Sequence, residues 1–187
     1  MGFINNWLRR PKDDKRDNMS WEDFVKMNYI GKRYHEAHIS QCKVGNANLG
    51  KGIDWTRKPG SLVIHGAVGT GKTHFLLSLA REAVRLYGVS SVRHVKGHKL
   101  DERTIRNPSL LYGFCTADIL FIDDIEFGNN PDMYDELIDE RWSNKRPTVI
   151  TTDKTPEEVA KLAGHRIYSR LKDYTWLHLD GPDLRGV

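Results

Sequence analysis

The stretch that most restricts what this chain can fold into is Ser61-Leu-Val-Ile-His-Gly-Ala-Val-Gly-Thr-Gly-Lys-Thr73. Its apolar run Leu62-Val63-Ile64 predicts a buried strand. That strand leads directly into Gly66-x-x-x-x-Gly71-Lys72-Thr73, the spacing of a phosphate-binding loop. Glycine tolerates positive φ, so backbone N–H groups from Gly66 through Ala67, Val68, Gly69, Thr70 and Gly71 can turn inward as an anion nest. Lys72 is placed to reach the β- and γ-phosphates, and the Thr73 hydroxyl to ligate Mg²⁺. A helix is predicted from Thr73 to Tyr87, with Phe75, Leu76, Leu79, Ala80, Ala83 and Val84 near helical spacing and Gly88 as its stop.

A second motif, Asp118-Ile-Leu-Phe-Ile-Asp-Asp-Ile-Glu126, predicts a fully buried strand that ends in two acids. Ligands of open α/β sheets bind at the carboxyl ends of strands. Asp123 is therefore assigned to the metal and Asp124 to polarising an attacking water, with Glu126 a spare carboxylate on the following turn. Asn130-Pro131 opens the next helix as cap and N1 proline, with Met133, Tyr134, Leu137, Ile138 and Trp142 as its inward stripe. Pro147 to Asp153 predicts a third buried strand, whose carboxyl end is where a γ-phosphate sensor belongs. Thr155-Pro-Glu-Glu158 is a capping box opening a helix that ends at Gly164. Arg166 and Arg170, four residues apart, share one helix face. Two readings stand for them: a finger reaching a neighbouring subunit's γ-phosphate, or surface ion pairs. Trp176 to Leu179 predicts a last short strand, and Asp180 to Val187 a tail.

The 187 residues, 39% apolar and 29% charged, suit one α/β domain with a short appendage. No apolar run is long enough for a membrane span, and no signal-peptide pattern opens the chain. Cys42 and Cys115 form no CxxC pair and read as buried thiols in a reducing cytosol. A net charge of +4 hints at an anionic partner. Phe3, Ile4, Trp7 and Leu8 fall on one side of a short helix, followed by a charged, proline-bearing linker. This is either a frayed terminus or a docking peptide anchored by Trp7 and Leu8. Ser20 and Asp23 form a capping box for a helix through Val25 and Met27. Ile30 and Tyr34 are either adenine contacts or ordinary core. Asn46 to Gly60, rich in glycine, is expected to be mostly loop. Ser91 to Val95 alternates as a strand. Lys96 to Asn107 is then a polar, basic stretch, read either as a solvated face or as a loop for a phosphate backbone.

Taken together, the motifs resemble the helicase-loader branch of the AAA+ ATPases, the DnaC-like replication proteins, with IstB-like ATPases as close relatives. The resemblance covers about residues 30 to 185. Lys32-Arg-Tyr-His-Glu-Ala-His-Ile39 is similar to the family's lead-in. Gly66 to His74 matches its Walker A stretch, including a His after the threonine, which adds His74 to the nucleotide-binding set. Leu120 to Asp124 matches a Walker B motif ending Asp-Asp. Glu140-Arg-Trp142, Arg146 to Asp153, Thr155 to Glu158 and Arg166-Ile-Tyr-Ser-Arg-Leu171 match further family boxes.

The resemblance implies a three-layer P-loop core at 29–187 with a central parallel sheet and a reduced or absent helical lid. Residues 1–28 would then be a partner-docking segment and linker. It implies ATP and Mg²⁺ as ligands, with Thr73 and Asp123 at the metal and Asp124 catalytic. Arg170 would be the arginine finger, with Arg166 second, joining subunits when ATP is bound. It further implies a cytoplasmic ATPase, in a bacterial or phage-infected cell, that loads a replicative DNA helicase on single-stranded DNA. An IstB-like regulator of a DNA transposase is the alternative. The family's sensor asparagine falls on Asp153, an acid that repels a γ-phosphate and points to weak hydrolysis.

Overall fold

Strands buried on both faces are stable only between two covering layers, and the three such strands of this chain, around residues 62–64, 119–122 and 149–150, form the middle of one sheet. The computed structural model describes residues 19–107, 109–127 and 130–186. Strands β1 (Leu62–His65), β2 (Val92–Lys96), β3 (Ile119–Asp123), β4 (Thr148–Thr152) and β5 (Thr175–His178) run parallel in the order β2-β3-β4-β1-β5. Alternate residues then face opposite layers. Leu62, Ile64, Ile119, Phe121 and Val149 pack beneath α1 (Trp21–Met27), α2 (Asn46–Arg57) and α3 (Lys72–Tyr87). Val63, Leu120, Ile122 and Ile150 pack against the second layer. That layer is α4 (Gly97–Arg106), α5 (Ser109–Thr116), α6 (Pro131–Ser143), α7 (Pro156–Leu162) and α8 (Gly164–Leu171). The expected three-layer α/β fold is what forms. After β5 the described residues hold only a short 3-10 turn, Leu184–Gly186, and no helical lid.

The helix starts follow their capping chemistry. Ser20 and Thr155 each accept from the N3 backbone while Asp23 and Glu158 reach back to the cap, and the Asn130 side chain accepts from Met133 N. Each such cap stabilises its helix by about 1 kcal/mol.

Three expectations need correction, and one open alternative is resolved. Asn46 to Gly60 is helix through Arg57 rather than loop. Gly52 serves close approach: a Cβ there would lie 2.7 Å from the Phe75 ring. Trp55 is buried and donates to Gly60 O at 2.6 Å, which closes the helix onto β1. The stretch from Lys96 is likewise mostly helix, α4, because Leu100 is buried in the second layer and outweighs the surrounding charge. In α6 the inward position is Arg141, 0% exposed, whereas Trp142 is 41% exposed. A stripe through Leu137 returns at 141 and not at 142. Ile30 is core and lies away from the nucleotide cavity.

Arg141 is hydrogen-bonded throughout. It donates to Phe114 O and Ala117 O, both at 2.7 Å, to Cys115 O at 3.3 Å, to Pro147 O at 2.6 Å and to Thr148 Oγ1 at 2.8 Å. These include carbonyls at the C-terminal end of α5, which have no partner within their own helix. Burial lowers its pKa to about 10, so it remains a cation at neutral pH. Helix α1 adds Trp21, Phe24 and Val25 to the core. Trp7 and Leu8 lie outside the described residues.

Candidate functional site

The loop after β1 turns on three glycines with positive φ: Gly66 (151°), Gly69 (87°) and Gly71 (93°). No side chain fits at Gly66, where a Cβ would meet Leu179 O at 2.1 Å. Gly71 delivers Lys72 and Thr73 as the first turn of α3. Lys72 Nζ donates to Gly66 O at 2.7 Å and Ala67 O at 2.9 Å, so the ammonium is held inside the loop's curve. Thr70 Oγ1 closes the same turn on Ala67 O at 2.9 Å. Burial lowers the Lys72 pKa, against the pull of Asp153, Asp124 and Asp123.

The acids arrive from β3 and β4. Asp123, 3% exposed, accepts from Thr73 Oγ1 at 2.9 Å and Thr151 Oγ1 at 2.8 Å. Burial raises its pKa, and these two hydroxyls oppose the rise. At Asp124 the chain leaves the strand in a left-handed conformation (φ 60°), fixed by Asp124 N donating to Thr151 Oγ1 at 2.7 Å. The Asp124 pKa is also raised, by burial first and then by Asp123 and Asp153. The start of α4 lies against this turn, since a Cβ on Gly97 would lie 2.4 Å from Asp124 O. Asp153 shares the wall with Lys72 and Asp124 and pairs with Lys154 Nζ at 3.1 Å. Glu126 does not line the cavity.

These residues enclose a cavity of about 350 Å³. The donor set fits a magnesium–nucleoside triphosphate: a glycine cradle too tight for side chains, an ammonium within it, and a hydroxyl hydrogen-bonded to a carboxylate. Of the predicted set, Val68, Gly69, Gly71, Lys72, Thr73, His74, Asp124 and Asp153 line this cavity, with Asp123 beneath them. Tyr34 lines it too.

Several wall residues fall outside the predicted site set. Arg33, Gln41, Cys42, Lys43 and Val44 come from the irregular lead-in before α2, and Leu184 and Arg185 from the tail. Burial raises the Cys42 thiol pKa, and its Sγ lies 3.3 Å from Ser78 Oγ. Burial also lowers the pKa of His74, which keeps that ring toward its neutral form.

Arg166 and Arg170 do not line this cavity. Arg170 Nε donates to Asp139 Oδ1 at 2.6 Å, and Arg166 Nη1 pairs with Asp135 at 3.1 Å, both across to α6. The Trp142 indole lies 5.6 Å from the Arg170 guanidinium. Within one subunit the ion-pair arrangement is therefore the one adopted.

A second cavity, about 550 Å³, opens beside edge strand β2, where Tyr29 faces Lys96, His98, Lys99 and Arg106. Lys99 is partly neutralised by Glu102 at 2.8 Å. Among the described residues no helix is long and apolar enough to cross a membrane.

Residues 17–175 match the family model described as the bacterial DnaA ATPase domain. The replicative helicase loader DnaC of Escherichia coli (strain K12) is 27% identical over 122 residues, 60% of this chain and 50% of that protein. The chain thus spans about half the length of that curated relative. Among solved structures, a crystal structure of the DnaC helicase loader superposes with TM-score 0.71 at 18% identity over 80% of this chain and 100% of that one. A replication initiator DnaA bound to AMPPCP and single-stranded DNA gives TM-score 0.71 at 15% identity over 84% of this chain and 53% of that one. At those identities the structural likeness is one of fold.

Proposed function

This chain belongs to the bacterial DnaA ATPase-domain family of AAA+ proteins, and from that we propose that it is an ATP-dependent loader of a replicative DNA helicase. The observation that carries the reading is the meeting of Lys72, Thr73, Asp123, Asp124 and Asp153 at the carboxyl edge of β1, β3 and β4. The similarity to a helicase loader gives this ATP site its context.

In this reading the loop N–H groups and Lys72 hold the β- and γ-phosphates. Thr73 Oγ1 and Asp123 hold Mg²⁺, which when bound stabilises charge on the transferred phosphoryl group. Asp124 orients a water toward that group. Its raised pKa suits it to accept a proton. The Asp153 carboxylate, next to Lys72, opposes added negative charge and keeps turnover slow. Arg170 leaves Asp139 to reach the neighbouring subunit's γ-phosphate, so that self-association follows ATP binding. The basic face of α4 and the cavity beside β2 hold the backbone of single-stranded DNA. Trp7 and Leu8 dock the helicase.

The test is co-purification with the host's hexameric replicative helicase, using the full chain and a form lacking residues 1–19. The expected result is ATP-dependent capture by the full chain that is lost without those residues. Lys72→Ala should abolish nucleotide binding. Capture of a DNA transposase and of no hexameric helicase would replace this reading with an IstB-like one.

A further inference from the structure

Helix α1 ends in a residue that its backbone position does not favour. Ile30 N donates to Val25 O at 3.0 Å and Tyr29 N to Lys26 O at 3.3 Å, the paired bonds that close a helix through one left-handed residue. That residue is Tyr29, at φ 52°. Glycine is the usual occupant there, because a Cβ is crowded in this conformation and a bulky side chain is a true outlier. Ile30 beyond it is buried in the core, yet the Tyr29 ring is 81% exposed. Tyrosine is thus neither the residue the turn prefers nor a contributor to the core. Strain of this kind collects where a side chain is used for binding.

The turn is fixed in place. Asn28 Oδ1 accepts from His94 N at 3.3 Å, and Asn28 Nδ2 donates to Phe24 O at 2.8 Å, so the end of α1 is fastened to edge strand β2. Tyr29 therefore stands in the wall of the 550 Å³ cavity beside that strand. His98, Glu102 and Arg106 recur every four residues of α4 and face this cavity together. Lys96, at the end of β2, adds a further cation. Among the described residues no ion pair engages Lys96 or Arg106, whereas Lys99 is held by Glu102. An open aromatic ring beside two such cations matches one unit of an unpaired nucleotide strand. The ring offers a surface to a base, and the cations offer charge to the phosphates on either side. Phosphate contacts alone would not need the ring.

We propose that Tyr29 is a base-stacking platform: the cavity beside β2 binds single-stranded nucleic acid through one base laid on the Tyr29 ring, with Lys96 and Arg106 on the flanking phosphates. The inference rests on the nucleic-acid reading of that cavity and adds a requirement to it, namely that the strand carry an accessible base. Tyr29 comes from the helix before the phosphate loop and lies outside the ATP cavity, so its loss is separable from nucleotide binding.

Fluorescence anisotropy of labelled oligo-dT, compared with an abasic strand of equal length and charge, tests this on the full chain. The parent is expected to bind oligo-dT about 5- to 150-fold more tightly than the abasic strand, the range one stacked base supplies. Tyr29→Gly relieves the backbone, so it is expected to melt no lower than the parent, to keep its ATP affinity and to bind the two strands alike. Tyr29→Trp is expected to retain the preference. Lys96→Ala and Arg106→Ala should each lower the slope of log affinity against log salt by about one, which Tyr29→Gly should leave unchanged. If folded Tyr29→Gly binds oligo-dT as tightly as the parent, or if the parent holds the abasic strand equally well, the platform is overturned and the backbone reading stands. Loss of helicase capture in Tyr29→Gly with the oligo-dT preference intact would likewise overturn it and make the ring a protein contact. If the parent binds neither strand, both readings of the cavity fall together.

Discussion

The hydroxyl of Thr73 donates to the carboxylate of Asp123 at 2.9 Å, joining the first turn of α3 to the tip of β3 across fifty residues of sequence. One oxygen, Asp123 Oδ1, also receives the Thr151 hydroxyl at 2.8 Å, so three elements meet on a single buried carboxylate. Thr73→Ala removes one of the two donors and one side of the metal pair. The magnesium concentration needed to support ATP binding should rise by about 10- to 100-fold. The melting of the protein without nucleotide should change by no more than the roughly 1 kcal/mol of one hydrogen bond. Titrating Mg²⁺ at fixed ATP, with a parallel thermal melt, checks both.

Asp124 gives a pH dependence with a definite sign. Its folded pKa lies above the ordinary 3.8 because burial, Asp123 and Asp153 all oppose ionisation. The folded chain therefore keeps a proton that the unfolded chain has released, and stability falls as pH rises through that window and stays lower above it. Asp124→Asn removes the penalty and retains a residue at ease with φ 60°. The variant should melt higher than the parent at neutral pH, by about 2–4 °C for each kcal/mol relieved. The gap should close as the pH approaches 3.8. Thermal melts from acid to neutral pH measure it.

Arg170 is held by Asp139 at 2.6 Å and lies beside the Trp142 ring. If it completes a neighbour's site, Arg170→Ala should leave ATP affinity within about twofold and reduce partner-stimulated hydrolysis by about 10³-fold or more. Asp139→Ala should free the arginine and lower the protein concentration at which hydrolysis appears. Unchanged hydrolysis in both variants would leave Arg170 with only its ion pair to α6.

Arg141→Met strands the carbonyls of Phe114, Ala117 and Pro147 in the interior. Breaking one side of a buried charged network costs about 3–5 kcal/mol. The expected fall in melting temperature is therefore about 6–20 °C. Arg141→Lys should recover little, because one ammonium cannot reach the acceptors on both the α5 and the β4 sides.

These contrasts show where the sequence was legible. The phosphate loop, the buried strands and the Ser20, Asn130 and Thr155 caps were readable because their chemistry is local. Asp123 and Thr73 were readable as a pair because each sits at a strand or helix end that the fold must bring together. Helix α2 was not, because Gly45, Gly50 and Gly52 argue against helix until Phe75 is known to lie against Gly52. Arg141 was passed over for the apolar Trp142, since only the carbonyls around it reveal a buried arginine as satisfied. Helix α4 is anchored by Leu100, an apolar residue with Lys99 and Asp101 on either side in sequence. The tail looked featureless because its partners are backbone atoms of Gly66 and Gly69, which leave no pattern in its own residues.

The approach of Gly97 to the Asp124 carbonyl carries a mechanical consequence. No side chain separates the turn after β3 from the first residue of α4, so there is no soft element between them to absorb displacement. A peptide rotation at Asp124 that carries its carbonyl toward Gly97 has to be taken up by moving the start of α4. That helix and the strand before it carry Lys96, His98, Lys99 and Arg106. The acid tip and the basic helix therefore behave as two ends of one stiff linkage, with the glycine as its bearing.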